Sequence, residues 1–172
     1  MHGLQRGELR FSEYCDQWPQ IFSEEKQRIE SELGEWCGHI WHIGSTAIPG
    51  LMSKPIIDIA MDFSDANQLW HMAEVFEHRL GYRFRNVHHE PNHWYLCRDN
   101  DAEVRLFHIH LWLAGSPGLD RHLNFVRIVS SNASLQCEYA RLKWEWAEKT
   151  GWDRIEYSEA KSSFVRRVLQ AE

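Results

Sequence analysis

The stretch HIGSTAIPGLMSKPIIDI, residues 42–59, constrains the fold more than any other part of the sequence. It joins a short apolar segment at 39–43 to a longer one at 55–63, and both have the length of a β-strand. A Gly-Ser-Thr turn follows the first segment, and a carboxylate, Asp58, interrupts the second. Because the longer segment is apolar on nearly every position, it predicts a largely buried strand.

Helical patterns flank these two strands. Apolar residues at helical spacing predict a helix that begins near Pro19 and ends at Gly34, and a second that begins at Ser64 or Asp65 and ends at Gly81. Further predicted strands are 82–87, 93–98 and 103–113, and further predicted helices are 117–130, 134–149 and 157–170. We predict an α+β (mixed α/β) fold, in which a small mixed β-sheet has flanking helices and a helical C-terminal third, within a single domain at 1–172.

Composition excludes several classes of protein. The formal net charge is -6, with 19 Lys and Arg against 25 Asp and Glu, so we expect no extended nucleic-acid binding. No stretch is long and apolar enough for a membrane helix or a signal peptide, which predicts no membrane association. The 4 cysteines form no C-x-x-C pair and are expected to be reduced thiols in the cytoplasm. The sequence predicts no particular oligomeric state.

The Gly-Ser-Thr turn has the chemistry of a phosphate site. Gly44 permits a backbone conformation that exposes consecutive amides, and the hydroxyls of Ser45 and Thr46 add donors for an anion. Lys54 follows at the far end of the turn, where it would reach a phosphate or pair with a carboxylate. Asp58 would then hold Mg²⁺ or Mn²⁺ shared with the phosphates, or it would cap the amides of the turn. The spacing excludes a Walker A motif, because no Lys-Ser/Thr pair follows the second glycine.

Two histidines form a second candidate group. His108 and His110 lie two residues apart on a predicted strand and share a face, which predicts a metal or phosphate site beside Asp58. Two histidines and a carboxylate also match the ligands of non-haem iron. The histidine-rich stretch at 87–94 is predicted to be a surface turn between strands.

Five segments together resemble the GrpB family, also called UPF0157. They are residues 42–59, YCDQWPQIF at 14–22, HIHLW at 108–112, YARLK at 139–143 and YSEAKSSFV at 157–165. Cys15 and Asp16 depart from the family pattern in the second segment, as do residues 125–127 and Ser130 farther along. The family resembles the nucleotidyltransferase superfamily in fold, so the resemblance implies that fold for this chain.

The resemblance also implies roles for residues. In the superfamily, the Gly-Ser turn holds a nucleotide triphosphate and paired carboxylates hold divalent metal; here Asp58 matches the first carboxylate, but Ala60 stands at the second. Asp62 lies roughly 6.6 Å farther along the strand and is too distant to replace it. The matched Lys143 and Lys161 would contact phosphates if their helices cover the turn; otherwise they are solvated.

Two hypotheses about function remain open. In the first, the protein is a metal-dependent nucleotidyltransferase, in which Asp58, His108 and His110 are catalytic and Asp58 and His110 bind the metal. The phosphate-binding residues would be Gly44, Ser45, Thr46, Lys54, Lys143 and Lys161. In the second, the same residues bind a nucleotide or phosphorylated metabolite without chemistry. Family members fused to dephospho-CoA kinase imply an accessory role in nucleotide or coenzyme A metabolism.

Overall fold

A computed structural model describes residues 2–85 and 93–170 and contains a mixed sheet. The six strands of this part of the chain are β1 (Leu4–Gln5), β2 (Ile40–Ile43), β3 (Ile57–Phe63), β4 (Arg83–Phe84), β5 (His93–Asp99) and β6 (Val104–Leu113). They lie in the order β2-β3-β6-β5-β4, with β1 paired to the beginning of β6. Strands β3 and β6 are parallel and the other pairs are antiparallel. The predicted fold class is confirmed.

Five α-helices of the described residues accompany the sheet: α1 (Trp18–Leu33), α2 (Ala66–His78), α3 (Pro117–Ser130), α4 (Ala133–Lys149) and α5 (Arg154–Gln170). Side-chain caps explain where two of them begin. Asp65 accepts hydrogen bonds from two amides of the first turn of α2, and Asn132 accepts one from Leu135 in α4. In the described part of the chain, no helix has the length and apolar character needed to cross a bilayer.

One face of the sheet packs against α1 and α2. Ile57, Ile59 and Met61 of β3 are fully buried there, beside Phe107 and Ile109 of β6. Burying one such side chain is worth roughly 1.5–3 kcal/mol. This is the main hydrophobic core, and it fixes the strand alternation that turns the intervening residues to the opposite face.

The opposite face carries the polar residues and faces α3, α4 and α5. Asp58 pairs in register with His108, and Ala60 with His110, in the parallel β3–β6 ladder. The prediction that these residues share a face is confirmed. The three C-terminal helices form a second apolar cluster with Ile48 of the turn, so they are held directly beside the Gly-Ser-Thr segment.

Some boundaries differ from the predictions. Helix α2 ends at His78 rather than at Gly81, and α5 begins at Arg154 rather than at 157. Asp153 explains the second difference, because its carboxylate accepts hydrogen bonds from the amides of Ile155 and Glu156 and caps the helix earlier. Residues 86–92, the greater part of the predicted histidine-rich turn, lie outside the described residues. His93, predicted to lie on the surface, begins β5 and faces a cavity.

Candidate functional site

The Gly-Ser-Thr turn and Asp58 lie in direct contact. Gly44 has φ 70°, and a Cβ at this position would overlap the Asp58 carboxylate. Residues 45–47 form a 3₁₀ turn, in which the Ala47 amide bonds the Gly44 carbonyl. Among the described residues, no amide of this turn donates a hydrogen bond to Asp58, so the predicted capping role is not observed. Gly44 is needed because the backbone conformation and the carboxylate both exclude a side chain.

Asp58 is instead paired with His108. Its Oδ1 accepts a hydrogen bond from His108 Nδ1 at 2.8 Å, and its side chain is 30% exposed. Burial opposes ionisation of Asp58, but the hydrogen bond and charge of His108 hold the pKa of that carboxyl below its usual range. Asp58 is therefore an anion at neutral pH.

The environment of His108 fixes its protonation. Its Nε2 lies 3.5 Å from a guanidinium nitrogen of buried Arg105, which can only donate, so Nε2 is the acceptor and Nδ1 carries the proton given to Asp58. Arg105 is itself paired with Asp99. Burial lowers the pKa of His108, with partial compensation by Asp58. Both ring nitrogens are occupied within the fold, so this arrangement favours His108 as a positioning residue for Asp58.

The position of the second carboxylate is apolar. Ala60 has no exposed surface and packs with Ile43, Trp112 and Leu119. Asp62 accepts a hydrogen bond from the His39 amide at 2.8 Å near the far end of β2. Asp62 therefore does not provide the second carboxylate of the pair, in agreement with the distance from position 60 that the sequence predicts.

His110 belongs to a cluster of rings. Its Nδ1 lies 3.0 Å from His93 Nε2, and the rings of Tyr95 and His122 lie 4.8 and 5.5 Å from its own, centroid to centroid. Burial lowers the pKa of His110 well below its ordinary value, and the neighbouring His122 adds to this. His110 is therefore a neutral imidazole. His93, Tyr95 and His122 also line the cavity, and sequence reasoning did not single them out.

Among the described residues, four basic side chains approach the same space. Lys54 follows the turn, Arg121 comes from α3, Lys143 from α4 and Lys161 from α5. Lys143 is 1% exposed and donates to the Met52 carbonyl at 2.7 Å. Burial and the charges of Lys161 and Lys54 lower the pKa of Lys143 well below its ordinary value. The helices do cover the turn, which is the condition under which the two predicted lysines would contact a phosphate; Arg121 was not predicted.

These groups surround one cavity of about 420 Å³. Its wall includes Gly44, Ser45 and Thr46, the four cations, and Asp58 as the one carboxylate among its lining residues. The Thr46 hydroxyl is buried between His42 and the Ile56 carbonyl, at 3.0 and 3.4 Å. Thr46 therefore supports the turn from within, whereas Ser45 is partly exposed. The cavity is a positively charged pocket of a size that suits a small phosphorylated molecule.

The residues do not fit a pair of divalent metal ions. Such a site needs several oxygen ligands, but Asp58 already accepts from His108 and Ala60 provides no ligand. No group of three or more His, Cys, Asp or Glu side chains among the described residues is arranged to hold a metal ion. The ligand pair predicted from the sequence, Asp58 and His110, stays a prediction.

Solved structures share this architecture. The crystal structure of conserved protein GrpB from Enterococcus faecalis has a TM-score of 0.82 at 25% identity, over 94% of this chain and 96% of that one. The Cid1 poly(U) polymerase with MgGTP bound has a TM-score of 0.52 at 12% identity over 79% of this chain. The GLD-2/RNP-8 complex has a TM-score of 0.56 at 11% identity over 80% of this chain. The match spans 44% and 51% of those two chains. The fold is nucleotidyltransferase-like.

Proteins of similar sequence match nearly the whole length of this chain. A UPF0157 protein of Halalkalibacterium halodurans is 33% identical over 163 residues, which are 92% of this chain and 79% of the relative. The glutamate-rich protein GrpB of Alkalihalophilus pseudofirmus is 26% identical over 171 residues, 98% of each chain. The family model described as GrpB protein matches residues 8–171. The chain therefore belongs to the GrpB family.

Proposed function

We propose that this protein binds the phosphate groups of a nucleotide or a related phosphorylated metabolite in the cavity beside Gly44. The observation that carries the proposal is the buried lysine, Lys143. It is 1% exposed, it lines the cavity, and no carboxylate among the described residues pairs with it. Burial lowers the pKa of this amine well below its ordinary value, and a bound phosphate would supply the counter-ion that favours its charged form.

The other charges support the same ligand class. Lys54, Arg121 and Lys161 line the cavity together with Lys143, against the single carboxylate of Asp58. Two unit charges 4 Å apart near a protein surface interact by about 4 kcal/mol, so a ligand with several phosphate charges gains from each cation that it approaches. The amides and hydroxyl of the 3₁₀ turn supply neutral donors on one wall.

The comparisons support nucleotides within this class. The Cid1 polymerase, which shares the fold, was solved with MgGTP bound. The ring cluster of His93, Tyr95 and His110 lines the cavity together with the turn, and a base would stack on such rings. The accessory role in nucleotide or coenzyme A metabolism that the family resemblance implies is compatible with the same ligand class.

A thermal-shift panel of ATP, GTP, CTP, UTP, dephospho-CoA and pyrophosphate tests the proposal. A ligand at 100 times its dissociation constant stabilises the folded protein by about 2.7 kcal/mol, which is readily measured. We expect at least one compound to raise the Tm, and Lys161→Gln to reduce the shift. Arg166→Gln is the matched control, because Arg166 is exposed on the same helix. No shift with any compound would contradict the proposal.

Nucleotidyl transfer is the second candidate, and the position of Asp58 beside the Gly-Ser turn favours it. Transfer from a nucleoside triphosphate would release pyrophosphate, whereas binding alone would not. Incubation of the protein with each triphosphate and candidate hydroxyl acceptors, followed by a pyrophosphate assay, separates the two functions. Pyrophosphate release that requires an added acceptor, is accompanied by an equal amount of nucleotidylated acceptor and is abolished in Asp58→Asn would establish transfer.

A further inference from the structure

We propose that the cavity binds its phosphorylated ligand without a divalent metal ion, and that the ammonium groups of Lys54 and Lys161 supply the countercharge. This inference rests on the proposed function and specifies its chemistry. It predicts that the preferred form of a nucleotide is the free polyphosphate anion and not its magnesium complex.

The first reason is the state of Asp58. One carboxylate oxygen accepts the 2.8 Å hydrogen bond from His108, and the other lies against the Cα of Gly44, where a Cβ would collide with it. Mg²⁺ requires octahedral coordination by oxygen, in which a carboxylate must be oriented toward the ion together with phosphate oxygens and water. Asp58 is already held on both sides by the fold, and it has little freedom to adopt such geometry.

The second reason is the environment of Ala60. A second carboxylate there would stand opposite His110 in the sheet and replace a methyl group packed among Ile43, Trp112 and Leu119. Trp112 and Leu119 are 1% and 3% exposed. Position 60 is therefore part of the apolar core. The methyl group of Ala60 is closely packed there, and no gap is left at the place of the second carboxylate.

The third reason is the placement of the lysines. Lys54 is close enough to Asp58 for its charge to favour ionisation of the carboxylate. Lys161, on α5, also interacts electrostatically with this carboxylate. The Tyr139 phenol raises the pKa of Lys161, burial opposes this, and Asp58 raises it further. Lys161 is therefore charged at neutral pH. A divalent cation entering this space would meet the charges of Lys54 and Lys161, whereas a phosphate would be attracted by both.

Isothermal titration with ATP and with pyrophosphate tests the inference, each in EDTA and again in excess Mg²⁺. We expect binding in EDTA that is at least as tight as binding in Mg²⁺, because Mg²⁺ reduces the concentration of the free polyphosphate. Lys161→Gln and Lys54→Gln should each weaken binding in EDTA about tenfold, as expected when a charged hydrogen-bond donor is removed. Lys161→Arg should retain most of the affinity, and Arg166→Gln should retain all of it.

The outcomes separate this inference from the function on which it rests. Binding that appears only with Mg²⁺ or Mn²⁺ would overturn the metal-free site and leave the proposed function in place. Saturable binding of Mn²⁺ alone, lost in Asp58→Asn, would overturn it as well. No binding of either compound in either buffer would remove the proposed function, and the inference with it. Circular dichroism of each variant verifies that it is folded before its affinity is compared.

Discussion

Gly44 illustrates how a single residue can carry both a backbone and a packing requirement. Its φ of 70° is unfavourable for any L-residue, and the Asp58 carboxylate occupies the place of a Cβ. Gly50, six residues later, has φ 78°, but no heavy atom lies within 4 Å of the point that a Cβ would occupy there. The two glycines therefore share a positive φ, and only Gly44 also contacts Asp58.

We expect Gly44→Ala to destabilise the protein by more than Gly50→Ala. A strained backbone costs an L-residue roughly 1–3 kcal/mol, and the ψ of -169° at Gly44 lies in a region that is essentially restricted to glycine. Overpacking against Asp58 adds roughly 1–3 kcal/mol in Gly44→Ala alone. Urea unfolding measures both. In an Asp58→Ala background the difference between the glycines should shrink, and equal losses in the native background would show that the carboxylate yields without cost.

At Lys143, we expect one substitution to stabilise the ligand-free protein and to weaken phosphate binding. Replacing it by Met keeps an unbranched side chain that is shorter by the nitrogen, and removes a buried amine that lacks a carboxylate partner among the described residues. We expect Lys143→Met to raise the stability of the ligand-free protein by about 1 kcal/mol, or about 2–4 °C in Tm, and to weaken phosphate binding. Thermal unfolding and titration with pyrophosphate measure the two effects.

Lys149→Met is the control for Lys143→Met, because Lys149 is exposed at the end of the same helix. It should change stability by less than about 0.5 kcal/mol and leave binding intact. A large loss of stability in Lys143→Met would instead mean that the hydrogen bond to the Met52 carbonyl is the chief role of this lysine.

At the scale of elements, the sequence predicts the long periodic segments well. Helix α1 and strand β3 agree with their predicted bounds to within two residues at each end, because period and breakers coincide over many residues there. The two-residue strand β1 has no counterpart among the predicted strands, because its pairing with β6 is a long-range contact without a local pattern. The predicted beginning of α5 is wrong because the cap at Asp153 lies outside the apolar pattern on which the prediction rests.

Helix α4 depends on such a cap and also carries Lys143 into the cavity. The Asn132 side chain accepts a hydrogen bond from the Leu135 amide at 3.0 Å. We expect Asn132→Ala to cost about 1 kcal/mol in the free energy of unfolding, the usual value of an N-cap. Ser134→Ala, an exposed change beside the cap bond, should be nearly neutral, and similar losses in the two variants would contradict the assignment of the cap.

The whole molecule determines the part of the site that the sequence did not predict. Asp58, His108 and the turn could be identified because they lie on neighbouring patterned segments. Arg121, His122 and His93 could not, because they reach the cavity only after α3 packs over the sheet and β5 pairs with β6. Residues that a tertiary contact brings together have no fixed spacing in the sequence, so no motif could have shown them.

The packing of helices over the sheet also buries several histidines, and the free energy of unfolding therefore depends on pH. Burial lowers the pKa of His42 to about 4, with Asp58 opposing the effect, and also lowers the pKa values of His108 and His110. These imidazoles are neutral in the folded protein, but in the unfolded chain they take up protons below about pH 6.5. Since the unfolded state then binds more protons, the free energy of unfolding falls as the pH drops from about 6.5 toward 4.

Protonation of Asp58 also lowers the free energy of unfolding, but at lower pH. Its pKa is depressed in the folded state, so its contribution to stability is complete above about 3.9, the carboxyl pKa of an unfolded chain, and is lost on further acidification. Each group that is neutral in one state and charged in the other contributes a slope of at most about 1.4 kcal/mol per pH unit. Urea unfolding between pH 8 and pH 4 should therefore show a slope that steepens below about pH 6.5.

His42→Gln identifies one source of that slope. Glutamine is neutral throughout this range and can keep a polar contact with the Thr46 hydroxyl, which lies 3.0 Å from the imidazole. We expect a shallower loss of stability between about pH 6.5 and about pH 4 in this variant. His71→Gln, on the exposed side of α2, controls for the removal of an imidazole. If the variant at 42 and the native protein lose stability in parallel, His42 takes up a proton without unfolding the chain, and the acid sensitivity lies with other buried histidines such as His108, His110 and His122.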